Sequence, residues 1–248
     1  MIERKTAIAT AQALALMLIA SSAQAQLTNL VTNGSFEITP LADGVSKKLG
    51  TNATGWTTNS YSFLVAPGKG DVQMNNGGGD ATLKLWSTKN GGKDFVPATS
   101  PDGGRYIAAD SAYQVGPIKQ TINDLTVGSQ YTLSFYYAAG QQYHFNGPTY
   151  DSWKVSFGDQ TQETPIINLG NHEFADWRQA SFTYTATSTS QVLSFLAAGG
   201  PNGLPPFVLL DGVSITAAVP EPEEWAMMLV GVGLVGFQVR RKQKKSAA

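Results

Sequence analysis

Apolar and polar residues alternate with a period of two along much of this chain. Tyr131-Thr132-Leu133-Ser134-Phe135-Tyr136-Tyr137 puts apolar side chains at the odd positions, following the turn residues Val127-Gly128-Ser129. Trp153-Lys154-Val155-Ser156-Phe157 repeats the pattern and stops at Gly158-Asp159; Ser181–Thr185 alternates again, and Gln191–Leu196 does so more weakly. Successive side chains of a strand point to opposite faces, so these stretches predict half-buried β-strands. Pro206–Leu210 is instead a continuous apolar run, after which Val213 and Ile215 resume the alternation. Nothing between residues 26 and 218 reads as a long amphipathic helix. Many short strands separated by glycine-rich turns predict an all-β fold, an antiparallel sandwich or barrel. The expected architecture is an antiparallel jelly-roll β-sandwich.

The two ends break this pattern. Arg4 and Lys5 precede the apolar stretch Ala7–Ala20, and Ser22-Ala23-Gln24-Ala25 ends in a small-residue cleavage pattern. That order is a secretory signal peptide over residues 1–25, so the exported domain is expected to begin at Gln26 and run to 218. The final segment, 219–248, contains Pro220-Glu221-Pro222, an apolar run from Trp225 to Val239, and a tail with Arg240, Arg241, Lys242, Lys244 and Lys245. Proline keeps the triplet out of a helix interior. A helix over the fifteen residues of the run spans roughly 22 Å, short of a hydrocarbon core of about 30 Å. Snorkelling of the basic tail covers the deficit and places it on the cytoplasmic side. A short buried core helix is the alternative, but a five-charge block suits it badly. Gly231-Val232-Gly233-Leu234-Val235-Gly236 within the run matches a dinucleotide fingerprint. It lacks the downstream acidic residue that such a motif requires, because only twelve residues follow Gly236.

The C-terminal segment closely resembles the PEP-CTERM sorting signal of Gram-negative bacteria, on the strength of Pro220-Glu221-Pro222, the apolar run and Arg240-Arg241. The resemblance implies recognition and removal by exosortase, a transient membrane helix before processing, and a destination in the cell envelope, at the cell surface or in an exopolysaccharide matrix. It covers about thirty residues and is silent on the domain delivered.

Charge changes the picture once the parts are separated. The chain holds 17 basic and 18 acidic residues. Between Gln26 and Val219 there remain 10 basic residues, once two in the leader and five in the tail are set aside, and 14 acidic ones, giving a net charge of −4. A mildly acidic domain without a basic stripe excludes nucleic acid as a partner. The chain has no cysteine, so burial, backbone pairing or a bound metal must hold this exported domain together without disulfides.

The domain opens with Leu30-Val31-Thr32-Asn33-Gly34-Ser35-Phe36-Glu37 and closes with Leu209-Leu210-Asp211-Gly212-Val213-Ser214-Ile215. Between them, Gln120, Ile122, Leu125, Gly128, Tyr131, Leu133 and Phe135 keep a regular spacing. Together these resemble the galactose-binding-like jelly roll of many bacterial carbohydrate-binding modules. The resemblance implies that the first and last strands lie near each other, and that Glu37 and Asp211 hold a structural calcium ion. Gly212 stands where that family often has a second aspartate, which reduces the ligand set carried over. The residues alone leave a second reading open, with Glu37 solvated and Asp211 capping a turn before Gly212.

Catalytic chemistry finds little footing. His144 and His172 lie in separate segments without the spacing of a zinc site, and no G-x-S-x-G elbow is present. Asp110, Glu163, Glu173 and Asp176 could supply a glycosidase pair only if the fold brought two of them together. Glycoside hydrolysis is therefore a third reading. The second is a structural or adhesive matrix protein, and the first is a non-catalytic polysaccharide binder. The stretch between two predicted strands carries that first reading. It offers stacking rings (Tyr143, Phe145, Tyr150) and orienting polar groups (Gln141, Gln142, Asn146, Asp151) on a Gly/Pro-containing connection. The other reading of the same aromatics is that they cover the end of the core. Trp56, Trp86, Trp153 and Trp177 read as core or strand residues.

Overall fold

The computed structural model of the protein describes residues 28–72, 83–218 and 231–232. Among these residues, eleven strands make two antiparallel sheets: β1 (Lys47–Lys48), β2 (Ser62–Val65), β3 (Tyr106–Asp110), β4 (Ile118–Ile122), β5 (Gln130–Gln141), β6 (Thr149–Phe157), β7 (Gln160–Glu163), β8 (Ile167–Leu169), β9 (Phe174–Thr185), β10 (Gln191–Gly200) and β11 (Pro206–Ala217). One sheet has the order β1-β2-β3-β11-β5-β9, the other β4-β10-β6-β7, with β8 also paired to β6. Every alternating stretch of the sequence falls within a strand. The expected signal peptide lies outside the described residues, as does the C-terminal segment apart from helical 231–232. No helix among the described residues is long and apolar enough to cross a membrane.

Two hydrophobic cores hold the sandwich. Between the sheets, Phe195 packs with ring centroids 5.1 Å from Phe135, 5.8 Å from Trp153 and 6.2 Å from Trp56. Trp153, on the five-stranded sheet, donates its indole N–H to the Leu209 carbonyl of the other sheet at 3.0 Å, so its one polar group is satisfied where it is buried. The second core lies on the outer face of the six-stranded sheet. There Leu83, Leu85 and Val96 cover Phe63, Tyr106, Ala138, Phe207 and Leu209. Residues 206–211 and all of β2 and β3 are thus buried on both faces. That is why Pro206–Leu210 reads as an unbroken apolar run instead of alternating.

The opening segment lies along the closing strand. Leu30 N–H donates to Ile215 O at 2.8 Å and Val213 N–H to Gly34 O at 3.0 Å, while the Asn29 side chain accepts from Val31 and Ile215 N–H. The segment is not itself a strand, because Asn33 and Phe36 have positive φ. A Cβ at Gly34 would run into the Val213 carbonyl, so glycine is required for this close approach. The first regular strand, β1, sits at the far edge of the same sheet. The adjacency therefore belongs to the opening motif rather than to the first strand.

Two buried phenols give the fold an alkaline limit. Tyr184 O–H donates to Val155 O at 2.8 Å, and Tyr106 is fully buried with no partner for its hydroxyl among the described residues. Burial raises both phenol pKa values well above the ordinary value near 10. Below pH 10 both states are neutral and nothing is lost. As pH rises through 10 the unfolded chain ionises first, so stability falls by up to about 1.4 kcal/mol per pH unit for each phenol. Melting temperatures measured between pH 9 and 11 should decline, and Tyr184→Phe should lessen the slope; a flat profile would contradict this burial.

Candidate functional site

The connection from β5 to β6, residues 142–148, is held from two sides. Tyr143 N–H donates to Lys84 O at 2.7 Å and Trp86 N–H to Gln141 O at 2.9 Å, pairing the 84–86 segment against the end of β5. Inside, the Gln141 amide donates to Gly147 O, Thr149 Oγ1 and Gly170 O at 2.9–3.1 Å, and its carbonyl accepts from His172 N–H. Gln141 is buried at 2 % exposure. It is a brace for the loop and does not face a ligand, which corrects its expected role. Asp151 is likewise withdrawn: it is fully buried and accepts a hydrogen bond from Ser111 Oγ.

The remaining candidates divide between three surfaces. Gln142 and Phe145 line a cleft of about 310 Å³ together with Tyr61, Asp110, Tyr113 and Asn202. Phe145 and Tyr113 are 38 % and 54 % exposed, and the Tyr61 and Tyr113 rings meet edge to face at 5.3 Å. Tyr143 turns the other way. Its ring lies 4.4 Å from Trp86 and carries the Lys84 ammonium 4.0 Å above its face, while Trp86 stacks on His172 at 3.8 Å. Asn146 is exposed and its Oδ1 lies 2.6 Å from His172 Nε2. Tyr150 is exposed over Gly200 on the five-stranded sheet, apart from the cleft lining. A larger concavity of about 480 Å³ beside Lys119 and Gln120 contains no ring, and Gln120 spends its amide on Thr32 and Gly55.

Tyr61, Tyr113 and Asn202 were not among the sequence candidates. The available signal was local: Asp110-Ser111-Ala112-Tyr113-Gln114 and Ser60-Tyr61-Ser62 set single rings in polar, turn-prone surroundings. Asp110 orders its turn by accepting Ala112 and Tyr113 N–H at 2.8 Å. Burial pushes its carboxyl up to about 6.

Glu37 lies within electrostatic reach of Asp211. Asp211 is fully buried, its Oδ2 accepts from Ser100 Oγ, and its Oδ1 has no partner among the described residues. Burial, with the nearby charges of Asp102 and Glu37, drives its carboxyl up to about 8. Glu37 is exposed, accepts Arg105 N–H, and closes against Gly104, where a Cβ would overlap its carboxylate. Among the described residues no three His, Cys, Asp or Glu side chains form a metal-binding group. Two carboxylates with a hydroxyl, and an unpartnered buried oxygen among them, fit an oxygen-seeking cation completed by water, and not zinc.

The carboxylates considered for glycosidase chemistry are engaged separately. Glu163 accepts from Ser152 Oγ, Glu173 pairs with Lys93 at 2.9 Å, and Asp176 accepts Trp177 N–H.

Comparison with known proteins adds the following. The chain is 28 % identical over 216 residues to halomucin of Haloquadratum walsbyi, covering 85 % of this chain but 2 % of halomucin. Among solved structures, TmCBM61 in complex with β-1,4-galactotriose is 11 % identical, with 77 % of this chain and 99 % of that one covered at a TM-score of 0.40. A CBM4 structure is 16 % identical, with 76 % and 99 % covered at 0.34. At such scores the sandwich assignment rests on its own strand registers. Residues 218–242 match the PEP-CTERM protein-sorting motif. The chain thus ends in the sorting signal of exported, surface-sorted proteins that exosortase processes.

Proposed function

We propose that the protein is an exosortase-sorted surface or matrix component of a Gram-negative envelope, whose jelly-roll-type domain binds polysaccharide without cleaving it. The observation that carries this reading is the cleft at the β5–β6 end of the sandwich. Exposed rings of Tyr113 and Phe145, with Tyr61 behind them, stand beside the amides of Gln142 and Asn202. Flat apolar faces next to orienting hydrogen-bond groups suit the two faces of a pyranose ring. Loops on a rigid scaffold are where such groups sit. In this reading Glu37 and Asp211 hold calcium as a structural ion. A glycan-array screen of the protein should return one family of polysaccharides; binding to none would defeat the reading in favour of an adhesive matrix role.

The sorting segment gives its own expected result. In a host with exosortase, mass spectrometry of the mature protein should lack Arg240–Ala248. Recovery of the intact basic tail would show that the segment is a permanent anchor. In this reading the leader, residues 1–25, is removed on export and the 219–248 segment crosses the membrane only until processing.

A further inference from the structure

We propose a second cation site, formed by Asp110, Ser111 and Asp151, that ties the two sheets together beneath the cleft. Three features of the fold converge there. Ser111 follows β3 and bridges both sheets: its N–H donates to Pro206 O on β11 at 3.0 Å, and its carbonyl accepts Gly199 N–H of β10 at 3.1 Å. Its hydroxyl donates to Asp151 Oδ1 on β6 and lies 3.3 Å from Pro206 O. Asp110, immediately before it, is 1 % exposed, and Asp151 is fully buried.

Each aspartate keeps one oxygen unpartnered. Asp110 uses Oδ1 for the turn that follows it, which leaves Oδ2 without a partner among the described residues; Asp151 Oδ2 is equally bare. A serine hydroxyl has one proton and cannot serve them all. No lysine or arginine forms an ion pair with either carboxylate among the described residues, where the recorded pairs are Lys89–Asp71 and Lys93–Glu173. A buried carboxylate with a bare oxygen and no counter-charge is expensive, and two of them within electrostatic reach of each other more so. Asp110's charge indeed adds to the burial that raises Asp151.

A hard divalent cation resolves both deficits at once. Two carboxylates, a hydroxyl and the Pro206 carbonyl offer oxygen only, without sulfur or imidazole. That is the donor chemistry calcium takes, with water filling the remainder of its six to eight positions. The surrounding backbone leaves room for these groups only because position 199 is glycine, where a Cβ would meet Tyr150 O and Ser111. The site is distinct from Glu37 and Asp211, which lie at the other end of the strand pair: Asp110 is opposite Phe207 in the register, four positions before Asp211. A cation here fixes the 110–113 turn, and with it Tyr113 and one wall of the cleft.

Calcium titration of the full chain, after stripping with EGTA, tests this directly. Calorimetry should show Asp151→Asn binding one calcium equivalent fewer than wild type, while Asp211→Asn keeps that equivalent. Ser111→Ala should weaken it by about tenfold or more. The melting order should also invert. In EGTA, Asp151→Asn should melt above wild type, because the amide spares the fold the cost of burying or protonating a carboxyl that has no counter-charge; in saturating calcium it should melt below. An Asp151→Asn stoichiometry equal to wild type, or the same melting order in both conditions, overturns the site. Should Asp151→Asn fail to fold, an unchanged affinity in Ser111→Ala overturns it instead.

Discussion

Tyr113→Ala is expected to abolish retention on the polysaccharide that the protein recognises, with the melting temperature nearly unchanged. The ring is 54 % exposed and its chief aromatic neighbour is Tyr61 at 5.3 Å. Its removal therefore opens little core. Aromatic anchors of a binding surface typically carry about 2 kcal/mol or more when truncated, roughly a thirtyfold loss of affinity per ring. Phe145→Ala should behave in the same way. Phe195→Ala makes the informative contrast. That ring is fully buried among Trp56, Phe135 and Trp153, so its truncation should cost about 3–5 kcal/mol and reduce binding only through unfolding. Affinity electrophoresis alongside thermal melts distinguishes the two classes. If Tyr113→Ala and Phe145→Ala both bind as wild type does, the cleft is not the ligand surface.

Chelation is the second large effect expected. With calcium at a hundredfold excess over its Kd, one site stabilises the folded state by about 2.7 kcal/mol. For a domain of this size that is a melting shift of roughly 5–10 °C. EGTA should remove it, and Asp211→Asn should remove the share due to the Glu37–Asp211 site. An Asp211→Asn protein with the same chelator response as wild type would take calcium away from that pair.

The sequence pattern and the structure agree best where one face of a strand is wet. Tyr131, Leu133, Phe135 and Tyr137 alternate with partly exposed neighbours in β5, and their positions could be read directly. Strands β2 and β3 leave no such alternation, because both of their faces are covered. Tyr106-Ile107-Ala108-Ala109-Asp110 carries no period to detect once a second apolar layer packs on it. The site was half legible for a related reason. Phe145 and Gln142 sit in a loop whose composition announces a surface, and they do line the cleft. Their partners Tyr61, Tyr113 and Asn202 arrive from three distant points of the chain through strand pairing, which no local pattern encodes. Gln141 and Asp151 looked like ligand groups because side-chain chemistry does not state direction. Both are turned inward by the strand register, one bracing a loop and the other facing a serine from the opposite sheet.

The direction of β11 sets how the domain would be presented. Its first residue, Pro206, adjoins the Pro205 that lines the cleft, and its last, Ala217, immediately precedes the sorting motif that begins at 218. The strand is twelve residues long, so its ends lie roughly 36 Å apart at about 3.3 Å per residue. The opening segment returns to the Ile215 end as well. The Tyr113–Phe145 rings therefore lie at the end of the domain away from the start of the sorting motif. Processing at the C-terminal segment thus takes place about one strand's length away from the rings.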